Sequence, residues 1–225
     1  RGGAGDHRAG SLPGGANAIG LGPFAPLLVV RAFGELGGAV FGDESGIVRI
    51  EAQRGAHGAG VSLLATTRPL GPESDSWSAM TSPLGHHGPS VHSGAKLTQQ
   101  KVYEEARAAS RKSAVDEALL FDGSGHLVEG ARSNLLIVDR AGTLATPDLA
   151  LGAVAGIALE ILSACVAELG VATFDKSDVI NARELIAVNA VRGAVSITEL
   201  DGRNIGGGAS GPWAKRLHRL LADTP

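Results

Sequence analysis

Hydrophobic and polar positions in the first third of the chain follow one helical stretch and then two alternating stretches. The segment PLLVVRAFGELGGAV at 26–40 predicts a helix, although its glycines weaken the helical pattern. The segment GIVRIEAQ at 46–53 alternates apolar and polar residues, as a half-buried strand does. The segment GVSLLATTRPL at 60–70 predicts a second strand, so the RGAHGAG between them predicts a hairpin turn.

The middle of the chain, from 71 to 95, is rich in Gly, Pro, Ser and His. This composition predicts a linker, with one short strand near Trp77–Ser82, and it is typical of a domain boundary. We therefore expect a smaller N-terminal α/β domain at 1–92 and a larger C-terminal α+β domain at 93–225.

The second half of the chain has a more regular pattern of helices and strands. It predicts helices at 98–112, 156–169, 178–182 and 211–222, and strands at 117–122, 126–139 with a break near Gly130, 141–147, 184–190 and 194–202. Strands and helices are mixed without a strict βαβ rhythm, so the fold class is α+β rather than doubly wound.

Composition and charge exclude several classes of protein. Among the 225 residues, 20 are basic and 23 acidic, and no basic run occurs, which argues against nucleic acid or an anionic membrane as partner. The apolar stretch 150–170 carries Glu160 and Glu168, so a buried helix is expected there rather than a membrane span. Cys165 is the only cysteine; it predicts a reducing, cytoplasmic location and a small core side chain.

Three features of the second half suggest chemistry when they are taken together. Lys96 precedes a helix in SGAKLTQQKVYEEA, Glu129 ends an apolar strand in LVEGARSNLLIV, and a glycine turn in GAVAGIALEIL runs directly into a helix. Each alone is ordinary: a surface charge, a turn carboxylate and a glycine helix cap. Together they supply a lysine for an imine, an acid for a pyridine nitrogen and helix amides for a phosphate, which are the parts of a pyridoxal 5'-phosphate site.

The chain from about residue 25 onward resembles the fold-type IV pyridoxal phosphate enzymes, the class IV aminotransferase family. The matching stretches are GAKLTQQKVY, DEALLFDGSGHLVEGARSNLLIV, GAVAGIALEIL and ELIAVNAVRGAVSITELDGRNIG. That family includes branched-chain and D-amino-acid aminotransferases and 4-amino-4-deoxychorismate lyases. The resemblance implies a two-domain fold like that of D-amino-acid aminotransferase, truncated at the start of its N-terminal domain, and a homodimer.

The resemblance also assigns roles to individual residues. Lys96 is implied as the catalytic Schiff-base lysine, and Glu129 as the partner of the pyridine nitrogen. The other implied cofactor-binding residues are Ser133, Asn134, Gly156, Ile157, Ala158, Asn189 and Ala190. Arg192 and Tyr103 are implied as substrate-binding residues. No metal is implied, and the histidines at 86, 87 and 92 are interpreted as a solvated loop rather than as metal ligands.

The chain departs from the family pattern at the phosphate. The family places a phosphate-binding arginine near its start, where this chain has Gly10, with Arg8 two residues earlier. Loss of that arginine would weaken the hold on the cofactor, because charge-assisted hydrogen bonds to phosphate are among the stronger ones.

Three hypotheses for function follow from the resemblance. The stretch NAVRGAVSI favours a lyase that converts 4-amino-4-deoxychorismate to 4-aminobenzoate and pyruvate in folate biosynthesis, with Lys96 moving the Cα proton. The first alternative is a class IV aminotransferase acting on branched-chain or D-amino acids. The second alternative is a truncated or decayed member of the family without catalysis.

Overall fold

The computed structural model of the protein describes residues 26–54, 60–98 and 100–224. By contacts within the chain these residues form two units, one ending at Glu73 and the other spanning Ser74–Thr224. The strand Ser76–Thr81 pairs into the sheet of the second unit.

The first unit contains a helix followed by a hairpin. Helix α1 (Pro26–Phe41) precedes strands β1 (Gly46–Arg54) and β2 (Val61–Pro69), which pair antiparallel from Gly46 opposite Pro69 to Arg54 opposite Val61. The helix and both strands lie where the periodicity predicts them. The residues of the predicted turn between the strands, and Arg8 and Gly10, lie outside the described residues.

The second unit alternates strands with short helices. Its strands are β3 (Ser76–Thr81), β4 (Glu117–Phe121), β5 (Leu127–Gly130), β6 (Asn134–Val138), β7 (Leu144–Pro147), β8 (Gly170–Ala172), β9 (Glu184–Asn189), β10 (Gly193–Leu200) and β11 (Arg203–Asn204). Its α-helices are α2 (Lys101–Lys112), α3 (Ile157–Cys165), α4 (Lys176–Ile180) and α5 (Pro212–Asp223), with a 3₁₀ turn at Leu149–Leu151.

The strands of this unit form one mixed sheet whose two ends meet. Their spatial order is β5-β4-β3-β10-β9-β6-β7-β8, with β11 added to β10. The β3 pairings with β4 and β10 are parallel, and β9 pairs antiparallel with both β10 and β6. The Leu127 amide donates to the Phe174 carbonyl at 2.8 Å, and His126 bridges Asp175, so β5 returns to the segment that follows β8. The sheet is therefore curled, and the mixed topology confirms the α+β class.

The central strands are hydrophobic on both faces because both faces are buried. On β6, Leu135 and Ile137 enter one apolar cluster, while Leu136 and Val138 enter the other. The second cluster is completed by α3 and α5, which contribute Leu162 among others. A strand covered on both sides reads as a continuous apolar run, which is why NLLIV does not alternate.

Two expectations about the helix that follows Gly156 are wrong. Helix α3 ends at Cys165 rather than 169, because Val166 adopts an extended backbone and buries its side chain in the second cluster. Cys165 is exposed, not a core residue, since it lies on the outer side of the last turn.

Candidate active site

The carboxylate of Glu129 lies buried on β5, with only 3% of the residue exposed. The Tyr103 hydroxyl donates to its Oε1 at 2.5 Å, and the Val154 amide donates to Oε1 and Oε2 at 3.1 and 3.2 Å. The Asn134 side-chain amide approaches Oε2 at 3.5 Å. Three different segments thus converge on this one carboxylate.

Burial raises the pKa of Glu129 to about 7. The hydrogen bonds from Tyr103 and Val154 and the positive charge of Lys96 act in the opposite direction, whereas the neighbouring Glu117 raises the pKa further. A buried carboxylate with a pKa near neutrality is a frequent component of functional sites. Its charged form is poorly solvated, so a cationic partner stabilises it strongly.

Lys96 is held beside this carboxylate by its backbone. Gly94 forms a parallel bridge with Val154, its amide donates to the Ala153 carbonyl at 3.1 Å, and its carbonyl accepts from the Ala155 amide at 3.0 Å. Ala95 is buried, and the Lys96 side chain is exposed within electrostatic range of Glu129. The segment that carries the lysine is therefore fastened to the segment that donates to the acid.

The same segment leads into the N-terminus of α3. Gly156 caps the helix with an extended backbone, and no side chain accepts from its first amides. A Cβ on Gly156 would lie 2.2 Å from Oδ1 of Asn134, whose Nδ2 donates to the Val154 carbonyl at 2.8 Å. The amides of Ile157 and Ala158 follow directly. Uncapped first-turn amides and the helix dipole make this terminus suited to an anion.

Ser133 does not face Glu129 through its hydroxyl. Its Oγ donates to Oε2 of Glu117 at 2.6 Å, and Glu117 is fully buried, which raises the pKa of this carboxyl group. The Arg132 amide also donates to Glu117, at 3.3 Å. A Cβ on Gly130 would come within 2.6 Å of Ser133 Oγ. Glu117 therefore holds the turn that connects Glu129 to Asn134.

The turn between β9 and β10 contains the remaining predicted residues. Asn189 Oδ1 accepts from the amides of Val191 and Arg192, both at 2.9 Å, which fixes the turn. Ala190 is exposed and Arg192 is half-buried. Because Asn134 pairs with Val188, this turn lies at the end of the sheet where β6 begins, the same end as the N-terminus of α3.

Tyr103 and His86 form a chain with Glu129 that sequence reasoning missed. Tyr103 lies on the buried face of α2, and its hydroxyl is 2.9 Å from His86 Nε2. His86 is buried, and its Nδ1 accepts from the Gly88 amide at 3.0 Å. The expectation that this histidine lies in a solvated loop is wrong. Nothing in the Gly- and Pro-rich stretch around His86 signals burial, since only the tertiary contact with α2 produces it.

A family model described as amino-transferase class IV matches residues 34–200, most of the chain. The chain belongs to the class IV aminotransferase family. Among curated relatives, the putative branched-chain-amino-acid aminotransferase of Methanocaldococcus jannaschii is 30% identical over 122 residues, 52% of this chain and 42% of that protein. The branched-chain-amino-acid aminotransferase of Pseudomonas aeruginosa is 28% identical over 134 residues, 58% of this chain and 42% of that protein. The chain thus matches less than half the length of these relatives.

Solved structures of aminotransferases have the same fold. A hypothetical aminotransferase from Mycobacterium tuberculosis, in its PLP-bound form, superposes with a TM-score of 0.78 at 19% identity, covering 94% of this chain and 80% of that one. A putative branched-chain amino acid aminotransferase from Thermotoga maritima gives a TM-score of 0.76 at 19% identity, covering 95% of this chain and 79% of that one. These matches confirm the fold-type IV architecture expected from the resemblance.

The donor set of this family member matches the chemistry of pyridoxal phosphate, the cofactor of class IV aminotransferases. A primary amine, a buried acid with an elevated pKa and uncapped helix amides are joined by the contacts of Gly94, Val154 and Asn134. Elsewhere, the described residues hold no cluster of three or more His, Cys, Asp or Glu suited to a metal ion. Within the same residues, no helix has the length and apolarity needed to span a membrane.

Proposed function

We propose that this protein is a pyridoxal phosphate-dependent aminotransferase that exchanges an amino group between an amino acid and a 2-keto acid. The observation that carries the proposal is the linkage of Lys96, Glu129 and the α3 N-terminus through one backbone segment, Gly94 paired with Val154. When bound, pyridoxal phosphate supplies an electron sink for the bond that breaks at the substrate Cα.

Lys96, Glu129 and the first amides of α3 have different proposed roles in this reaction. Lys96 would provide the covalent anchor for the cofactor, and its free amine would accept the proton from the substrate Cα. Glu129 would accept a hydrogen bond from the protonated ring nitrogen of the bound cofactor and so stabilise its positive charge. The amides of Ile157 and Ala158 would hold the phosphate, while Asn134 orients this segment against Glu129.

The turn at Asn189–Arg192 is proposed as the substrate side of the site. Asn189 and Ala190 lie at the same sheet end as the phosphate-binding amides, and the half-buried Arg192 provides a guanidinium for a substrate carboxylate. Branched-chain amino acids are the first substrates to test, because both curated relatives carry that name. The same names favour transamination over the lyase reaction that NAVRGAVSI suggested.

The first experiment tests the lysine. The protein is saturated with pyridoxal phosphate, reduced with borohydride and digested, and the modified peptide is mapped by mass spectrometry. The expected adduct lies on Lys96 and disappears in Lys96→Gln, while Lys101→Gln, a matched exposed lysine five residues later, keeps it. An adduct on another lysine, or none at saturating cofactor, would overturn the proposal and leave a non-catalytic family member as the better description.

A second experiment separates the two reactions of the family. Glutamate-dependent amination of 4-methyl-2-oxopentanoate is compared with pyruvate release from 4-amino-4-deoxychorismate. Amination alone supports the aminotransferase; pyruvate release alone would assign the chain to the lyase branch and to folate biosynthesis.

Three further expectations remain proposals: the two-domain division at 92/93 from composition, the cytoplasmic location from the single cysteine, and the homodimer from the resemblance. Light scattering of the purified protein tests the homodimer directly, since a monomer mass at micromolar concentration would contradict it.

A further inference from the structure

The three side chains of His86, Tyr103 and Glu129 form a hydrogen-bond chain whose direction is set at its far end. The Gly88 amide donates to His86 Nδ1, so this nitrogen is an acceptor and carries no proton. A neutral imidazole then has its proton on Nε2, which lies 2.9 Å from the Tyr103 oxygen. Burial, with His87 nearby, holds the pKa of His86 below its usual value, in keeping with a neutral ring.

The Tyr103 hydroxyl therefore receives a hydrogen bond from His86 and has one proton left to donate. That proton goes to Glu129 Oε1, at 2.5 Å. Burial and the neighbouring carboxylate raise the pKa of Tyr103, so the hydroxyl keeps this proton. The edge-to-face packing of the two rings, with centroids 5.9 Å apart, holds the oxygen and the imidazole in place. The donor thus always points toward the carboxylate.

We propose that His86 and Tyr103 are positioning residues that keep Glu129 ionised through this hydrogen-bond chain of fixed direction. The inference rests on the proposed function, in which an ionised Glu129 pairs with the protonated ring nitrogen of the cofactor. A protonated Glu129 would place its own O–H against the N–H of the ring nitrogen, so neither group would have an acceptor. Any contact that stabilises the ionised carboxylate therefore strengthens cofactor binding.

The need for such a contact follows from the surroundings of Glu129. The carboxylate is buried beside a second buried acid, Glu117, and both features disfavour its charge. Lys96 and the Val154 amide favour the charge. Once Lys96 is engaged with the cofactor its positive charge is no longer assured, whereas the Tyr103 hydroxyl stays in place.

The first measurement is made without cofactor. The pKa of Glu129 in the folded protein is obtained from the pH dependence of unfolding, as the difference between each variant and the same variant carrying Glu129→Gln. Tyr103→Phe is expected to raise this pKa by about one pH unit or more, since it removes a hydrogen bond to a charged group. The matched control is Thr146→Val, which deletes a buried hydroxyl that bonds the Leu135 carbonyl instead.

Two His86 variants test the direction of the chain. His86→Leu removes the donor to Tyr103 and frees its hydroxyl to rotate, so the pKa of Glu129 is expected to rise. His86→Gln keeps an acceptor for the Gly88 amide and a donor for Tyr103, so it is expected to restore the original value. The remaining charged groups facing the chain are unchanged in every variant: Lys96 and Glu117 toward Glu129, Arg107 toward Tyr103, and His87 and Asp122 toward His86.

The outcomes separate the possibilities cleanly. An unshifted Glu129 pKa in Tyr103→Phe, or an equal shift in Thr146→Val, would overturn the inference. If Tyr103→Phe does not fold, the two His86 variants decide. A Glu129 pKa that rises in His86→Leu but not in His86→Gln supports the hydrogen-bond chain, and equal pKa values in the two variants contradict it. In the loaded protein, the absorbance of bound pyridoxal phosphate is expected to titrate at a shifted pH in Tyr103→Phe. Failure of adduct formation at Lys96 would overturn the proposed function. It would not affect the test of the hydrogen-bond chain, because the pKa of Glu129 is measured without cofactor.

Discussion

The Val154 amide donates to both carboxylate oxygens of Glu129, at 3.1 and 3.2 Å. Val154 is also the residue that bridges Gly94, two positions before Lys96, and it lies two positions before Gly156 at the start of α3. One backbone segment, 153–156, therefore connects Glu129 to the segment that carries Lys96 and to the N-terminus of α3. A displacement of this segment would disturb all three groups together.

Lys96→Ala is expected to lower the rate of the proposed transamination by at least about 100-fold, because it removes the group proposed as both covalent anchor and proton acceptor. The measurement is kcat with saturating cofactor and amino donor. Lys101→Ala is the matched control, since that exposed lysine pairs only loosely with Glu105 at 3.4 Å. An equal loss in both variants would show that Lys96 has no special role.

Glu129→Gln is expected to remove a pH dependence of stability. The folded-state pKa of Glu129 is about 7, above its ordinary 4.5, so the folded protein binds a proton between these values that the unfolded chain has released. The contribution of Glu129 to the free energy of unfolding is therefore fully present below pH 4.5. It falls by about 3 kcal/mol as the pH rises from 4.5 through 7. Denaturant unfolding at pH 4.5, 6 and 8 checks this; parallel profiles for the two proteins would contradict it.

Gly156→Ala is expected to weaken pyridoxal phosphate binding. The added Cβ would lie 2.2 Å from Oδ1 of Asn134, so this buried side chain must move and give up its bond to the Val154 carbonyl. Loss of such a buried hydrogen bond costs about 1–3 kcal/mol. Gly207→Ala is the control, because a Cβ there meets nothing within 4 Å. Fluorescence titration with the cofactor gives the Kd of each, and equal values would contradict the close contact.

Glu117→Ala is expected to destabilise the protein by about 2–3 kcal/mol, since it leaves the Ser133 hydroxyl and the Arg132 amide without their acceptor. Glu117→Gln keeps an acceptor and is expected to cost less. Because Glu117 raises the pKa of Glu129, the Gln variant is also expected to lower that pKa. Thermal unfolding over a pH series measures both effects. Identical stability of the Ala and Gln variants would contradict the role of Glu117 in holding the turn.

The sequence predicted the elements well wherever the pattern depends on neighbours along the chain. Helix α1 and the strands of the hairpin follow such local rules. The helix predicted at 178–182 is α4 at Lys176–Ile180, which begins two residues earlier because Asp175 and Asp178 form a reciprocal capping box. The end of α3 did not follow these local rules. Val166 has an extended backbone and its side chain is buried in the second apolar cluster, so the helix ends at Cys165. Cys165 was misplaced for the same reason, since the exposed side of a short helix depends on what covers the other side.

The candidate site shows the same division. Lys96, Glu129 and Gly156 were found from sequence because each stands at a recognisable transition between elements, and the family model confirms the family they suggest. Their roles remain predictions. His86 was misread, and the contacts of Tyr103 with Glu129 and His86 were not foreseen, since the partners are distant along the chain.

By itself, the sequence determined the α+β class, the family and three candidate groups, because periodicity, capping and motif spacing are local properties. Only the tertiary structure decided that β5 returns beside the segment that follows β8, and that Tyr103, Val154 and Asn134 enclose the carboxylate of Glu129. That burial raises the pKa of Glu129 and brings Tyr103 and His86 against it. Burial and hydrogen bonding depend on contacts between residues that are far apart along the chain, and these contacts are fixed only when the chain folds.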